Sequence, residues 1–150
     1  MRIALEEASK AGEEGEVPIG AVLVAEGVVI GKGRNRPIAW SDPSAHAEIL
    51  ALREGAKRVG NYRLPNSTLY VTLEPCIMCA GAVLQARVSR LVFGTEDPKG
   101  GAVFSLYALL EDGRLNHQTG VTSGVLRDEC REVLQHFFRE RRQNIFATEK

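Results

Sequence analysis

The sequence predicts an α/β sandwich around a mixed sheet, and three observations carry that expectation. Strand-like apolar runs alternate with segments of helical periodicity. The first two runs are close enough to form a hairpin. No internal repeat, low-complexity tract or Pro/Gly-rich linker interrupts the 150 residues, so a single domain over residues 1–150 is expected.

Each element has a local cause. The first dozen residues read as a helix, with Ile3, Leu5 and Ala8 apolar between charges. Pro18 leads into Ile19-Gly20-Ala21-Val22-Leu23-Val24, a strand by composition; Glu26-Gly27 is a turn, and Val28-Val29-Ile30 returns. Arg34 to Pro43 is a loop punctuated by two prolines. Ser44 is placed to cap the next helix, in which Ile49, Leu52, Ala56 and Val59 recur at helical spacing until Gly60 ends it. Thr68 to Leu73 is a strand. Pro75 suits the first turn of a helix to about Arg87, and Val88 to Phe93 is another strand. Gly100-Gly101 marks a loop. A last helix from about Val125 to Arg142 carries the apolar stripe Leu126, Cys130, Val133, Leu134, Phe137.

Composition excludes several classes. With 19 basic and 19 acidic residues the net charge is zero, which rules out a globally basic nucleic-acid binder but not a locally basic face. Apolar residues at 44% and charged residues at 25% are ordinary for a soluble domain. No apolar run reaches the roughly 20 residues a membrane span needs. Met1 to Glu7 is too acidic for a secretory signal, so a cytoplasmic protein with no membrane partner is expected. Three cysteines, two of them in a tight Cys76-x-x-Cys79 pair, point to metal or redox chemistry rather than disulfides.

Two segments carry the chemistry, His46-Ala47-Glu48 and Pro75-Cys76-Ile77-Met78-Cys79, and each opens a predicted helix. Two thiolates and one imidazole make a three-ligand zinc site with a fourth position open to water. Cysteines three apart in a first turn lie on nearly the same side, and a helix N-terminus favours the thiolate. Glu48 lies two residues past His46, about 200° round a straight helix, which makes it a poor co-ligand. It is better suited to stand beside the metal as a general acid–base. Two alternatives compete: a redox pair, which leaves His46 and Glu48 without a role, and a closed structural site with Cys130 or His117 as fourth ligand. Cys130 lies on the apolar stripe and reads as core. His117 follows Asn116 in a loop and reads as surface or a structural hydrogen-bonder.

The pairing of His-x-Glu with Pro-Cys-x-x-Cys resembles the signature of the zinc deaminases. More narrowly, the chain resembles the bacterial tRNA-specific adenosine deaminases. The likeness spans Val17 to Val22, Asn35-Arg36-Pro37, Asp42-Pro43, Leu69 to Cys76, Phe93-Gly94, Leu115-Asn116-His117, Asp128-Glu129-Cys130 and Phe137-Phe138-Arg139. The resemblance implies a three-layer α/β/α sandwich around a five-stranded mixed sheet, of the cytidine deaminase kind. It implies one Zn2+ per subunit on His46, Cys76 and Cys79, and hydrolytic deamination of the wobble adenosine, position 34 of a tRNA anticodon, to inosine. A hydroxide on the zinc attacks C6 of adenine, with Glu48 as proton shuttle. It implies a homodimer and the tRNA anticodon stem-loop as partner, with Asn35 and Ala47 at the base and Asp97, Lys99, Phe138, Arg139 and Arg142 along the RNA. Glu96 departs from the pattern by adding a negative charge near that path. The motifs alone leave open a deaminase of a small substrate, such as guanine, cytosine or a nucleoside. A zinc-stabilised binding module without catalysis is the third reading.

Charge spacing adds an independent point. Residues 131–142 hold four arginines and two glutamates, against two basic and five acidic residues in 1–16. Arg131, Gln135, Phe138 and Arg142 are spaced four, three and four apart and share one helix flank. An aromatic between arginines suits an unpaired base and its phosphates; an ordinary solvated flank is the plain alternative.

Overall fold

A computed structural model of the chain describes residues 1–148. Its order is α1 (Arg2–Glu13), β1 (Gly20–Ala25), β2 (Val28–Arg34), α2 (Pro37–Trp40), α3 (Ala47–Val59), β3 (Ser67–Leu73), α4 (Ile77–Gln85), β4 (Arg90–Thr95), a 3-10 turn (Leu109–Glu111), β5 (Gly120–Thr122) and α5 (Arg127–Thr148). The five strands form one sheet in the order β2-β1-β3-β4-β5. β1 pairs antiparallel with β2 and β3; β3–β4 and β4–β5 are parallel. Helices α1 and α5 cover one face of the sheet, and α3 and α4 the other. This is the expected three-layer sandwich around a mixed sheet.

Alternation along the strands sorts the layers. Ala21, Leu23, Leu69, Val71, Leu91 and Phe93 join Ala51, Ala80, Val83 and Val88 in one buried cluster under α3 and α4. The close seat of α3 on β2 depends on a missing side chain. A Cβ at Gly33 would land on the carbonyl of Ala47.

Topology delivers the chemistry to one end of the sheet. Parallel β3 and β4 end together, with Leu73 beside Thr95, and release Glu74-Pro75-Cys76 and Glu96-Asp97 side by side. β2 ends at Arg34 opposite Gly20, one position from Ala21, which pairs with Val71 near the end of β3, so Asn35 emerges there too. Ligand sites of open α/β sheets lie beyond such strand ends.

The structure corrects several boundaries. The proline-punctuated loop contains α2, with Pro37 at its first position, where a missing N–H costs nothing. Ser44 does not cap α3; its N–H and hydroxyl both bond Asp42 Oδ1, at 2.8 and 2.7 Å, and His46 is the N-cap. Pro75 lies before α4 rather than in it, because Cys76 takes the N-cap with extended backbone. Gly60 ends α3 in the left-handed conformation, as expected. α5 runs on to Thr148, past the expected Arg142. β5 has no sequence pattern of its own, since three residues are too few to show alternation.

Candidate metal centre and adjoining cleft

Two helix N-termini converge on one point. His46 caps α3 and Cys76 caps α4, and Cys79 lies in the first turn above Cys76. His46 Nδ1 lies 3.6 Å from Cys76 Sγ and 3.5 Å from Cys79 Sγ. All three donor atoms lie within 4.8 Å of one another, the single such group of His, Cys, Asp and Glu among the described residues. Ligand bonds of about 2.0 and 2.3 Å at a tetrahedral centre would set nitrogen and sulfur about 3.5 Å apart. The two nitrogen–sulfur separations therefore match those of a tetrahedral metal site, and two positive helix ends support the thiolate charge.

The remaining candidates for a fourth ligand are engaged elsewhere. Cys130 is buried under β4, and His117 Nε2 meets the Val88 carbonyl at 2.9 Å. No fourth protein ligand joins the group among the described residues.

Glu48 stands against the site without belonging to the triad. Its Oε2 accepts from Cys79 Sγ at 2.9 Å, and it is only 4% exposed. The helical-wheel estimate of opposite sides does not hold, because His46 is in extended backbone outside the helix. That backbone bend brings the two side chains to one place. Burial pushes the Glu48 carboxyl up. Hydrogen bonding from Cys79 holds Cys76 down at about 3, against burial and with further help from His46. The bond with Cys76 in turn raises His46. Cys79 is pushed up by Cys76, by burial and by the Glu48 charge.

Asn35 ties this centre to a cleft of about 1070 Å³. It is buried, and its Oδ1 accepts the N–H of Ala47 at 3.0 Å, between His46 and Glu48. That bond fixes the amide orientation and leaves Nδ2 free as a donor. Asp97, Lys99, Phe138, Arg139 and Arg142 line the same cleft, with Arg131 and Gln135 of the expected α5 flank. Ala47 does not; it is buried in the first turn of α3. Phe138 is 42% exposed and packs edge-to-face on Phe137 at 5.5 Å. Glu96 pairs with Arg127 at 2.6 Å, which offsets its charge beside the cleft.

The family model for MafB19-like deaminases matches residues 1–142. A tRNA-specific adenosine deaminase of Haemophilus influenzae is 58% identical over 144 residues, 95% of this chain and 83% of that protein. A solved structure from work on A-to-I editing by tRNA:A34 deaminases superposes with TM-score 0.86 at 48% identity, over 89% of this chain and 97% of that one. The chain belongs to the tRNA-specific adenosine deaminases. A guanine deaminase of Nitrosomonas europaea is similar at a greater distance, with TM-score 0.79 and 26% identity over 91% of this chain and 81% of that one.

One buried carboxylate has no motif of its own in the sequence. Glu74, 2% exposed, accepts from the N–H groups of Asp97, Val103, Phe104 and Ser105 and from the Ser105 hydroxyl. Burial alone would raise its pKa; the bonds from Ser105, Phe104 and Asp97 outweigh that and hold it low. It fastens the loop carrying Asp97 and Lys99 to the strand end that carries Cys76. The signal in the sequence was Gly101, where a Cβ would strike the Glu74 carboxylate.

Proposed function

We infer that this deaminase converts adenosine to inosine at wobble position 34 of tRNA anticodons, using a zinc ion. One observation carries the reading. The His46, Cys76, Cys79 triad, its donor atoms within 4.8 Å of one another, has the buried Glu48 carboxylate against it, in a chain of the tRNA-specific adenosine deaminases. Mixed imidazole and thiolate donors suit zinc. Bound there, zinc would act as a Lewis acid and make water a nucleophile at neutral pH.

The chain's own residues supply the rest. Glu48 accepts a proton from the attacking water and delivers it to the ring nitrogen beside C6. It carries the second proton to the departing amine, so water and adenine give the keto base and ammonia. Asn35 offers its free amide N–H2 to the base edge while the Ala47 N–H holds its other end. Arg139, Arg142 and Lys99 face phosphates, and Phe138 stacks on an unpaired base beside Asp97.

The same reading takes residues 1–150 as one catalytic domain working as a cytoplasmic homodimer. Among the described residues no helix is long and apolar enough to cross a membrane. Ile77, Phe104, Leu106 and Tyr107 are 53–72% exposed, a group of large apolar side chains that suits burial against a second copy. Light scattering should give twice the chain mass; the mass of one chain would contradict the dimer.

The substrate test is a parallel assay of zinc-loaded protein. An A34 anticodon stem-loop, free adenosine, guanine and cytosine are incubated side by side and products resolved by mass. Inosine in the RNA alone is expected. Turnover of guanine, with the RNA untouched, would replace this reading with that of a small-base deaminase.

A further inference from the structure

A second groove, of about 700 Å³, lies between edge strand β2, α2 and the outer side of α3. Five cations line it, Lys32, Arg34, Arg36, Arg53 and Lys57, against two carboxylates, Glu7 and Glu54. In a chain of zero net charge this is a local positive excess. Arg34 is neutralised by Glu7 at 3.2 Å and Glu14 at 2.7 Å. Arg36 meets Glu14 only at 3.7 Å and lies 5.6 Å from the ring centroid of Trp40. The Glu54 carboxylate accepts the backbone N–H of Lys32 at 3.0 Å. Lys32, Arg53 and Lys57 are exposed and make no ion pair among the described residues. Trp40, the chain's one tryptophan, is 51% exposed at the same groove.

The position of this groove sets its partner. Arg34, Asn35 and Arg36 are consecutive, and Asn35 lines the substrate cleft while its two neighbours line the second groove. The two surfaces therefore flank the same short stretch of backbone, Arg34 to Arg36. A nucleic-acid strand whose base reaches Asn35 would have the α2 side of this segment within reach of its adjoining backbone. Unpaired cations next to an exposed aromatic are what a single strand requires: charge for phosphates and a flat face for a base.

We propose that the second groove is a phosphate-backbone track for the RNA whose base enters the cleft at Asn35. Lys32, Arg53 and Lys57 neutralise phosphates, and Trp40 stacks on a neighbouring unpaired base. This rests on the adenosine-deaminase reading of the first cleft.

The test uses the full zinc-loaded chain and an A34 anticodon stem-loop, with affinity measured from 50 to 200 mM salt. The triple variant Lys32→Ala, Arg53→Ala, Lys57→Ala should reduce the slope of log affinity against log salt by about 2–3. Its KM for deamination should rise with kcat at saturating RNA retained. Trp40→Ala should weaken binding roughly fivefold or more at every salt concentration, with the slope kept. Zinc content and far-UV spectra check that both variants fold. A triple variant with wild-type slope and KM would overturn the groove while leaving the deaminase reading intact. An unchanged KM, with weakened binding only to an unrelated polyanion such as heparin, would mark a non-specific surface and overturn it too. A wild-type protein that leaves the RNA unedited would refute the underlying reading, and the groove with it.

Discussion

Replacing Glu74 with glutamine isolates what holds the loop of residues 97–105. Oε2 accepts three backbone N–H groups, from Val103 at 3.2 Å and from Phe104 and Ser105 at 2.9 Å each. Oε1 accepts the Asp97 N–H at 3.1 Å and the Ser105 hydroxyl. A glutamine keeps one oxygen. If it serves the three donors, its NH2 faces the Asp97 N–H and leaves that donor unpaired, at a cost of about 1–3 kcal/mol. The three remaining bonds also lose their charge assistance. Together the loss is about 3–5 kcal/mol, which lowers Tm by on the order of 10 °C in a domain of this size. Hydrogen exchange should localise the change to residues 97–105. The pH dependence has a definite sign. The native carboxyl is held below its ordinary value, so its contribution is complete above about pH 4.3, the unfolded carboxylate range. It is lost as pH falls through the lower native value. Wild-type loop protection should therefore persist from neutral pH to about 5 and decline in stronger acid, and the glutamine variant should lack that extra acid loss. A Tm drop under about 3 °C with unchanged exchange at 103–105 would refute the hub role.

Substitutions at four further positions separate support from chemistry. Gly33→Ala places a methyl on the Ala47 carbonyl, pushing the start of α3 and His46 off the sheet; a loss of about 1–3 kcal/mol and weaker metal retention against a chromophoric chelator are expected. Asn35→Ala orphans the Ala47 N–H and should cost about 1–3 kcal/mol, whereas Asn35→Asp keeps that acceptor, so stability should hold while KM for the RNA rises. Equal stability losses in both Asn35 variants would contradict the division of its two ends. Phe138→Ala with Arg142→Ala should weaken RNA binding roughly fivefold or more with metal content unchanged; unaltered affinity would remove this flank from the interface.

Residues that work within one short segment were legible. His46, Glu48, Cys76 and Cys79 stand in two motifs whose spacing expresses coordination geometry directly, and the structure brings them to one point. The α5 flank of Arg131, Gln135, Phe138 and Arg142 was readable from helical periodicity and does line the cleft. Features set by the return of distant chain were not. Glu74 looks like a surface charge at a strand end, since its four backbone donors come from residues 97–105. The place of Glu48 beside the triad rather than in it agrees with the sequence, but the wheel angle between it and His46 does not apply, because the His46 backbone is not helical. β5 rests on its parallel pairing with β4 rather than on any pattern of its own.

The most direct test of the account compares wild type with Glu48→Gln on one A34 tRNA, with inosine and zinc quantified on the same samples. One zinc per chain in both proteins, with inosine formed at position 34 by the wild type and none by the variant, is the predicted result. Near-normal inosine formation by Glu48→Gln would contradict it, since the carboxylate beside the triad would then move no essential proton.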